Sequence, residues 1–138
     1  MKGARAARAA LGRGDLAAAG KAAKAAITAR PGDGEGYFVM AMVAAEAGQV
    51  GKALPLIQQA LALVPDDPEY LAQHARLLIL LRRDGEAAVA ARKAWESDGA
   101  DARTLDTIGC VLARLGDHEG SLAPFEAAVA MEPSNLDY

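Results

Sequence analysis

Residues 34–67 read GEGYFVMAMVAAEAGQVGKALPLIQQALALVPDD, and residues 102–135 read ARTLDTIGCVLARLGDHEGSLAPFEAAVAMEPSN. Superimposed, the two stretches agree where a residue must be small or must turn the chain: Ala41 with Gly109, Gly48 with Gly116, Ala53 with Ser121, Ala60 with Ala128, and Pro65 with Pro133. The same 34-residue step carries through the whole chain. It gives three small-residue columns, Ala7/Ala41/Ala75/Gly109, Ala19/Ala53/Ala87/Ser121 and Ala26/Ala60/Ala94/Ala128. A repeat of this period identifies an array of helix pairs, because helix backbones that approach to about 8–10 Å leave room only for Ala, Gly or Ser at the closest points. Such an array presents a surface to a partner.

Between the breaks the apolar spacing is helical, as in Leu71, Leu78 and Leu81 with Ala75 beneath them. Gly14, Gly48 and Gly116 divide each unit, and Pro31, Pro65 and Pro133 close units. This spacing predicts helix pairs over about 2–12 with 16–30, 34–47 with 51–64, 68–81 with 85–97, and 102–115 with 118–131. Asp15 and Asp117, each directly after a turn glycine, are placed to cap the following helix. The third unit departs from the pattern: Arg82 stands where the others turn on Gly, and Gly99 where they close on Pro. Its turns are expected to differ locally, with Asp84-Gly85 supplying the break. Pro124 falls inside its predicted helix, where a bend is expected, and Pro55 falls nearer a helix start.

The chain of 138 residues is long enough for one folded domain, and 52% apolar content supplies a core. A net charge of -3 argues against general attraction to nucleic acid or to an anionic membrane. That sum conceals an asymmetry: residues 1–33 carry seven basic and two acidic side chains, a net of +5, and the remainder is net -8. Head-to-tail association and a merely solvated charged face are both compatible with it. One cysteine, Cys110, forms no internal disulfide and suits a reducing cytoplasm. No Cys/His cluster has metal spacing, so no metal or cofactor is expected. No apolar run of about 18 residues exists to span a bilayer. The first unit offers only Leu11, Leu16 and Ile27 as large apolar residues, so residues 1–30 are expected to fray.

Small residues at positions 8, 20 and 27 of each unit with proline at 32, and turns such as Arg114-Leu115-Gly116-Asp117 and Met131-Glu132-Pro133, resemble the tetratricopeptide repeat. The resemblance covers residues 1–135 as four units, about 1–33, 34–67, 68–101 and 102–135, with 136–138 opening a fifth that stops. It implies an all-α, right-handed α-solenoid of helix-turn-helix units. Its concave face, built from first helices, would bind an extended peptide or a partner helix. Carried over by position, the groove-facing residues are Arg8, Glu35, Phe38, Met42, Glu46, Glu69, Arg76, Ile79, Arg103, Asp106, Cys110 and Arg114. The Lys/Asn/Arg carboxylate clamp of chaperone-binding members is absent: the corresponding places hold Ala4, Arg8, Val39, Glu69 and Gln73, or Phe38, Met42, Gln73, Arg103 and Thr107 in the next register. A narrower similarity, through Thr104-Leu105-Asp106-Thr107-Ile108-Gly109 and Gly116-Asp117-His118, is to repeat arrays that precede sulfotransferase domains in some bacterial proteins.

Arg76, Arg103 and Arg114 are candidates to meet a carboxylate or phosphate; the alternative is a mixed surface paired with Glu69 and Asp106. Phe38 and Met42, one turn apart, are candidates for an exposed apolar anchor; the alternative is contact with Arg8 or Leu11. His74 is expected to be a core histidine satisfied by a neighbour, Trp95 a core residue, His118 a packing or capping residue, and Cys110 chemically inert. The expectation is a cytoplasmic, non-enzymatic scaffold for a protein or peptide partner. An alternative role is a regulatory or substrate-presenting extension of an enzyme such as a sulfotransferase, and self-association through the uncapped C-terminal end is a further expectation.

Overall fold

A computed structural model describes residues 2–131. Among them are eight α-helices and no strand: α1 (Lys2–Gly12), α2 (Leu16–Ala29), α3 (Glu35–Glu46), α4 (Val50–Leu63), α5 (Pro68–Leu80), α6 (Asp84–Glu96), α7 (Ala102–Arg114) and α8 (His118–Met131). They pair as hairpins α1–α2, α3–α4, α5–α6 and α7–α8, as the spacing predicts. Pro133 and the expected opening of a fifth unit at 136–138 lie outside the described residues. The chain forms two compact units, Met1–Pro65 and Asp66–Tyr138.

The turn inside every hairpin has one construction. At the end of α3, Gly48 N–H donates to Ala45 O at 3.0 Å and Gln49 N–H to Ala44 O at 2.8 Å, and Gly48 sits at φ 80°. Gly14 and Gly116 repeat this at φ 77° and 87°. The hairpin without a turn glycine repeats it too: Arg82 N–H donates to Ile79 O at 2.9 Å, Arg83 N–H donates to Leu78 O at 2.8 Å, and Arg82 takes φ 61°. The expectation of a different turn here is corrected. Helix-end carbonyls demand these donors whatever residue stands at the left-handed position, and Gly85, expected in the break, lies within α6.

Caps start the helices where the sequence allows them. Asp15 Oδ1 accepts from Ala18 N–H at 3.1 Å and Asp117 Oδ1 from Gly120 N–H at 2.9 Å, as expected. Asp67 accepts from Glu69 and Tyr70 N–H at 2.9 and 3.1 Å, and Asp101 from Thr104 N–H at 2.8 Å, so these aspartates start α5 and α7. Each such cap is worth about 1 kcal/mol. Helix α8 runs unbroken through Pro124, and α4 through Pro55. Each proline has a glycine four residues earlier, Gly51 and Gly120, at the carbonyl its ring crowds.

In the unit Met1–Pro65, α1 packs on α2 and α3, and α2 on α3. The small columns make that possible: Ala7, Ala19, Ala41, Ala53 and Ala60 are fully buried. Gly36 marks the tightest approach, since a Cβ there would stand 2.6 Å from Ile27 Cγ1 and 2.9 Å from Ala23 O. In the unit Asp66–Tyr138, α7 packs on α5, α6 and α8 around Tyr70, Leu77, Leu78, Ile108 and Pro124. A Cβ on Gly109 would stand 2.7 Å from the Phe125 ring, so the missing side chain is what lets that ring lie on α7. Ser121, the one hydroxyl in the columns, donates to its own helix at His118 O, 2.7 Å away. His118 itself is exposed, and the cap belongs to Asp117. Trp95, expected in the core, is 40% exposed on α6.

Candidate peptide-binding site

In the unit Met1–Pro65 three of the expected groove residues, Arg8, Glu35 and Phe38, bind one another. The Arg8 guanidinium forks onto Glu35, through Nε to Oε1 and through Nη2 to Oε2 at 3.0 Å, and lies over the Phe38 ring with Cζ 5.0 Å from its centroid. Phe38 is consequently 2% exposed and Met42 7%. The exposed-anchor reading is corrected: both residues are buried, and Phe38 lies under Arg8. A planar cation that pairs with a carboxylate along its edge can still stack on an aromatic face. A hollow of about 270 Å³ beside this cluster, lined by Ala4, Arg5, Arg8, Asp33 and Glu35, therefore has one arginine already committed to a carboxylate. Glu46 is exposed at the end of α3.

The unit Asp66–Tyr138 holds a different arrangement. A cleft of about 180 Å³ opens between α5 and α7, lined by Arg76 and Ile79 from the first helix and by Asp106, Thr107, Cys110, Val111 and Arg114 from the second. These positions are one turn apart on each helix, so they share a face. Its floor is aliphatic and its rim carries two guanidinium groups and one carboxylate. Arg76 Nε donates to Gln73 Oε1 at 2.7 Å, one turn back on its own helix, which fixes the guanidinium without neutralising it. Arg114 occupies the last turn of α7, where a cation also complements the helix dipole. Thr107 Oγ1 donates to Arg103 O at 3.0 Å.

Of the three arginines expected at one groove, Arg76 and Arg114 line the cleft and Arg103 does not. Arg103 and Arg114 lie at opposite ends of α7, about 16 Å apart at 1.5 Å per residue, and Arg103 is exposed beyond the cleft. Glu69, in the first turn of α5, is likewise outside the lining. Cys110 is exposed at the cleft wall; local desolvation, then the Asp106 carboxylate, push its thiol up, against the opposing pull of Arg114. That environment disfavours the thiolate a nucleophile needs. Val111 escaped the sequence reading, and Thr107 was named there only as a place of the absent clamp, although their spacing from Cys110 and Arg114 on one helix is the signal that places them in the cleft.

His74, on α5, has its Nε2 buried with no hydrogen-bond partner among the described residues, so the expectation of a satisfied core histidine is corrected. Burial lowers its pKa below 6.5, Glu86 partly opposes this, and Arg83 adds to it. Among the described residues no group of three or more His, Cys, Asp or Glu side chains is placed to hold a metal, and no helix is long and apolar enough to cross a membrane.

Paired helices with the small residues Ala7, Ala19, Ala41, Ala53 and Ala60 fully buried between them define a helical-repeat protein of the interaction-scaffold type. A tetratricopeptide-repeat family model matches residues 10–77. Solved structures with the same fold include a thermophilic TPR protein of Thermus thermophilus, 20% identical, TM-score 0.77, covering 95% of this chain and 73% of that one. MamA of Desulfovibrio magneticus is 19% identical, TM-score 0.69, over 96% of this chain and 75% of that one. An O-GlcNAc transferase of Thermobaculum terrenum is 21% identical, TM-score 0.72, over 80% of this chain and 21% of that one. Comparison with curated proteins yields no match. Residues 10–77 are thus tetratricopeptide-repeat sequence, and the described residues have the all-α fold of the solenoid class seen in these repeat proteins.

Proposed function

We propose that the chain is a non-enzymatic, cytoplasmic scaffold that captures an acidic peptide segment of a partner protein on its first helices. The carrying observation is the α5–α7 cleft with its Arg76 and Arg114 rim. At about 180 Å³ it is smaller than the roughly 300–1,000 Å³ of small-molecule pockets, so its size suits one side chain of a peptide. Ile79 and Val111 would receive a short aliphatic group, and the two guanidiniums a neighbouring carboxylate. Asp106 beside them disfavours nucleic acid and other polyanions, whose several phosphates would meet it.

A peptide array scored by fluorescence anisotropy tests this with Arg76→Glu/Arg114→Glu. Each charge-assisted hydrogen bond contributes about 1.5–3 kcal/mol, so the double reversal is expected to lower affinity for acidic peptides by about 100-fold or more. Acidic-peptide binding that survives the double reversal, or a uniform preference for neutral peptides, rejects the reading. A second role, as the repeat extension of an enzyme such as a sulfotransferase, draws support from one observation: an O-GlcNAc transferase carries a similar helical array over 21% of its length. A catalytic domain in the same reading frame would favour it.

A further inference from the structure

Helices α2 and α3 pack in a register set by two approaches, Gly20 toward Val43 Cγ1 at 4.0 Å and Ile27 against Gly36. That antiparallel register sets Ala23 level with Met40. At each level one partner is small and the other large, so the summed volume stays nearly constant. The 34-residue step transfers the register to α6 and α7, which also pack. There it sets Ala88 against Val111 and Ala91 against Ile108, small against large again.

The same step applied to α8 gives Leu122, Phe125 and Val129 as the face that would receive a following first helix. Leu122 is 57% exposed and Val129 47%; Leu122 and Phe125 are large at the two levels where α2 has Gly20 and Ala23 and α6 has Ala88 and Ala91, and Val129 is large as Ile27 and Trp95 are. Applied to α1, it gives Ala6 and Ala9 as the face that would lie against a preceding second helix, and both are exposed. Large on α8 meets small on α1: Leu122 falls level with Ala9 and Phe125 with Ala6. Charge agrees with size. Helix α8 contains Glu119 and Glu126 and no Lys or Arg, whereas α1 contains basic residues and no acid, with Arg5 and the following Arg13 exposed.

We infer that α8 of one molecule docks on α1 of a second copy, continuing the helix stacking from molecule to molecule in the register used by α2 and α3. The contact is head-to-tail, joining two different surfaces, so the pair retains one free end of each kind. A single helix-on-helix contact falls below the roughly 1,200–2,000 Å² of stable complexes. Association is therefore expected in the range of about 10 µM to 1 mM.

Sedimentation equilibrium of the 138-residue chain between about 10 µM and 1 mM tests it. The mean mass should rise above the 14.2 kDa of the single chain with concentration. Raising salt from about 0.05 to 0.5 M should weaken association about two- to fivefold. Leu122→Glu/Val129→Glu disables the tail and Ala6→Glu/Ala9→Glu the head. Each variant alone should stay monomeric with unchanged helical circular dichroism. Their equimolar mixture should form a one-to-one complex that grows no further, since one intact head then meets one intact tail. A wild-type mass that stays at one chain throughout would overturn the inference, with residues 132–138 or another protein left to cover α8. So would self-association that survives in either variant, or a mixture that forms no complex.

Discussion

Arg82 is the residue whose replacement most directly tests the account of the hairpin turns. It holds φ 61° where the other three turns place glycine at 77–87°. For an L-residue that conformation costs about 1–2 kcal/mol. Glycine removes the cost but gives the unfolded chain about 0.5–1 kcal/mol of extra entropy to lose. The balance for Arg82→Gly is a gain of about 0.5–1 kcal/mol. With a urea slope of about 2 kcal/mol/M, the unfolding midpoint should rise by about 0.3–0.5 M. Arg82→Ala is the control, because alanine bears the same backbone cost and should leave the midpoint within about 0.2 M. In the opposite direction, a Cβ on Gly48 or Gly116 would meet nothing within 4 Å. Gly48→Ala and Gly116→Ala therefore isolate the backbone term, which should lower stability by about 1 kcal/mol each. An Arg82→Gly protein no more stable than wild type, or an alanine variant that matches the glycine one, would refute the reasoning.

Other substitutions probe other parts of the fold. Gly109→Ala drives a methyl into the Phe125 ring and should destabilise by about 1–3 kcal/mol, read as a lower thermal midpoint; Gly109→Ala/Phe125→Leu should recover part of it. His74 titrates below its ordinary 6.5 in the fold, so the unfolded chain takes up the proton first. Its contribution is intact above pH 6.5 and is lost as pH falls through the lowered folded value. His74→Leu should flatten that slope and, by removing an unpartnered buried nitrogen, raise stability by about 1 kcal/mol, both measured by urea titration at pH 5 and 7. Residues 1–30, with few large apolar side chains, should exchange their amides faster than residues 105–130; equal protection would reject the expectation.

The periodic part of the fold was legible because it is local. Ala41, Ala53 and Ala60 are small for the same reason in every unit, and the glycine turns recur at the same phase. Arg82 escaped because a left-handed residue is imposed by the hydrogen bonds on both sides of it, which composition does not display. Phe38 escaped for a different reason: its cover is Arg8, thirty residues earlier, held there by Glu35. A sequence face that reads as exposed and aromatic is closed by that pair. Trp95 was misread in the opposite sense, since helix spacing places it beside the small column at Ala94 but the surrounding residues leave 40% of it in solvent.

The division between columns and cleft also separates stability from binding. Gly109 and Cys110 are neighbours on α7, yet one faces Phe125 and the other the α5–α7 cleft. Successive helical residues point about 100° apart, so a change at the first alters packing and a change at the second alters the cleft wall. Arg76 and Arg114 stand off the columns in the same way, on a partly open rim. Their double reversal is expected to leave the unfolding midpoint within about 0.5 kcal/mol of wild type, as for surface substitutions, while abolishing acidic-peptide binding. If it unfolded the protein instead, the two arginines would be holding α5 against α7, and the cleft would be a structural seam with no partner to receive.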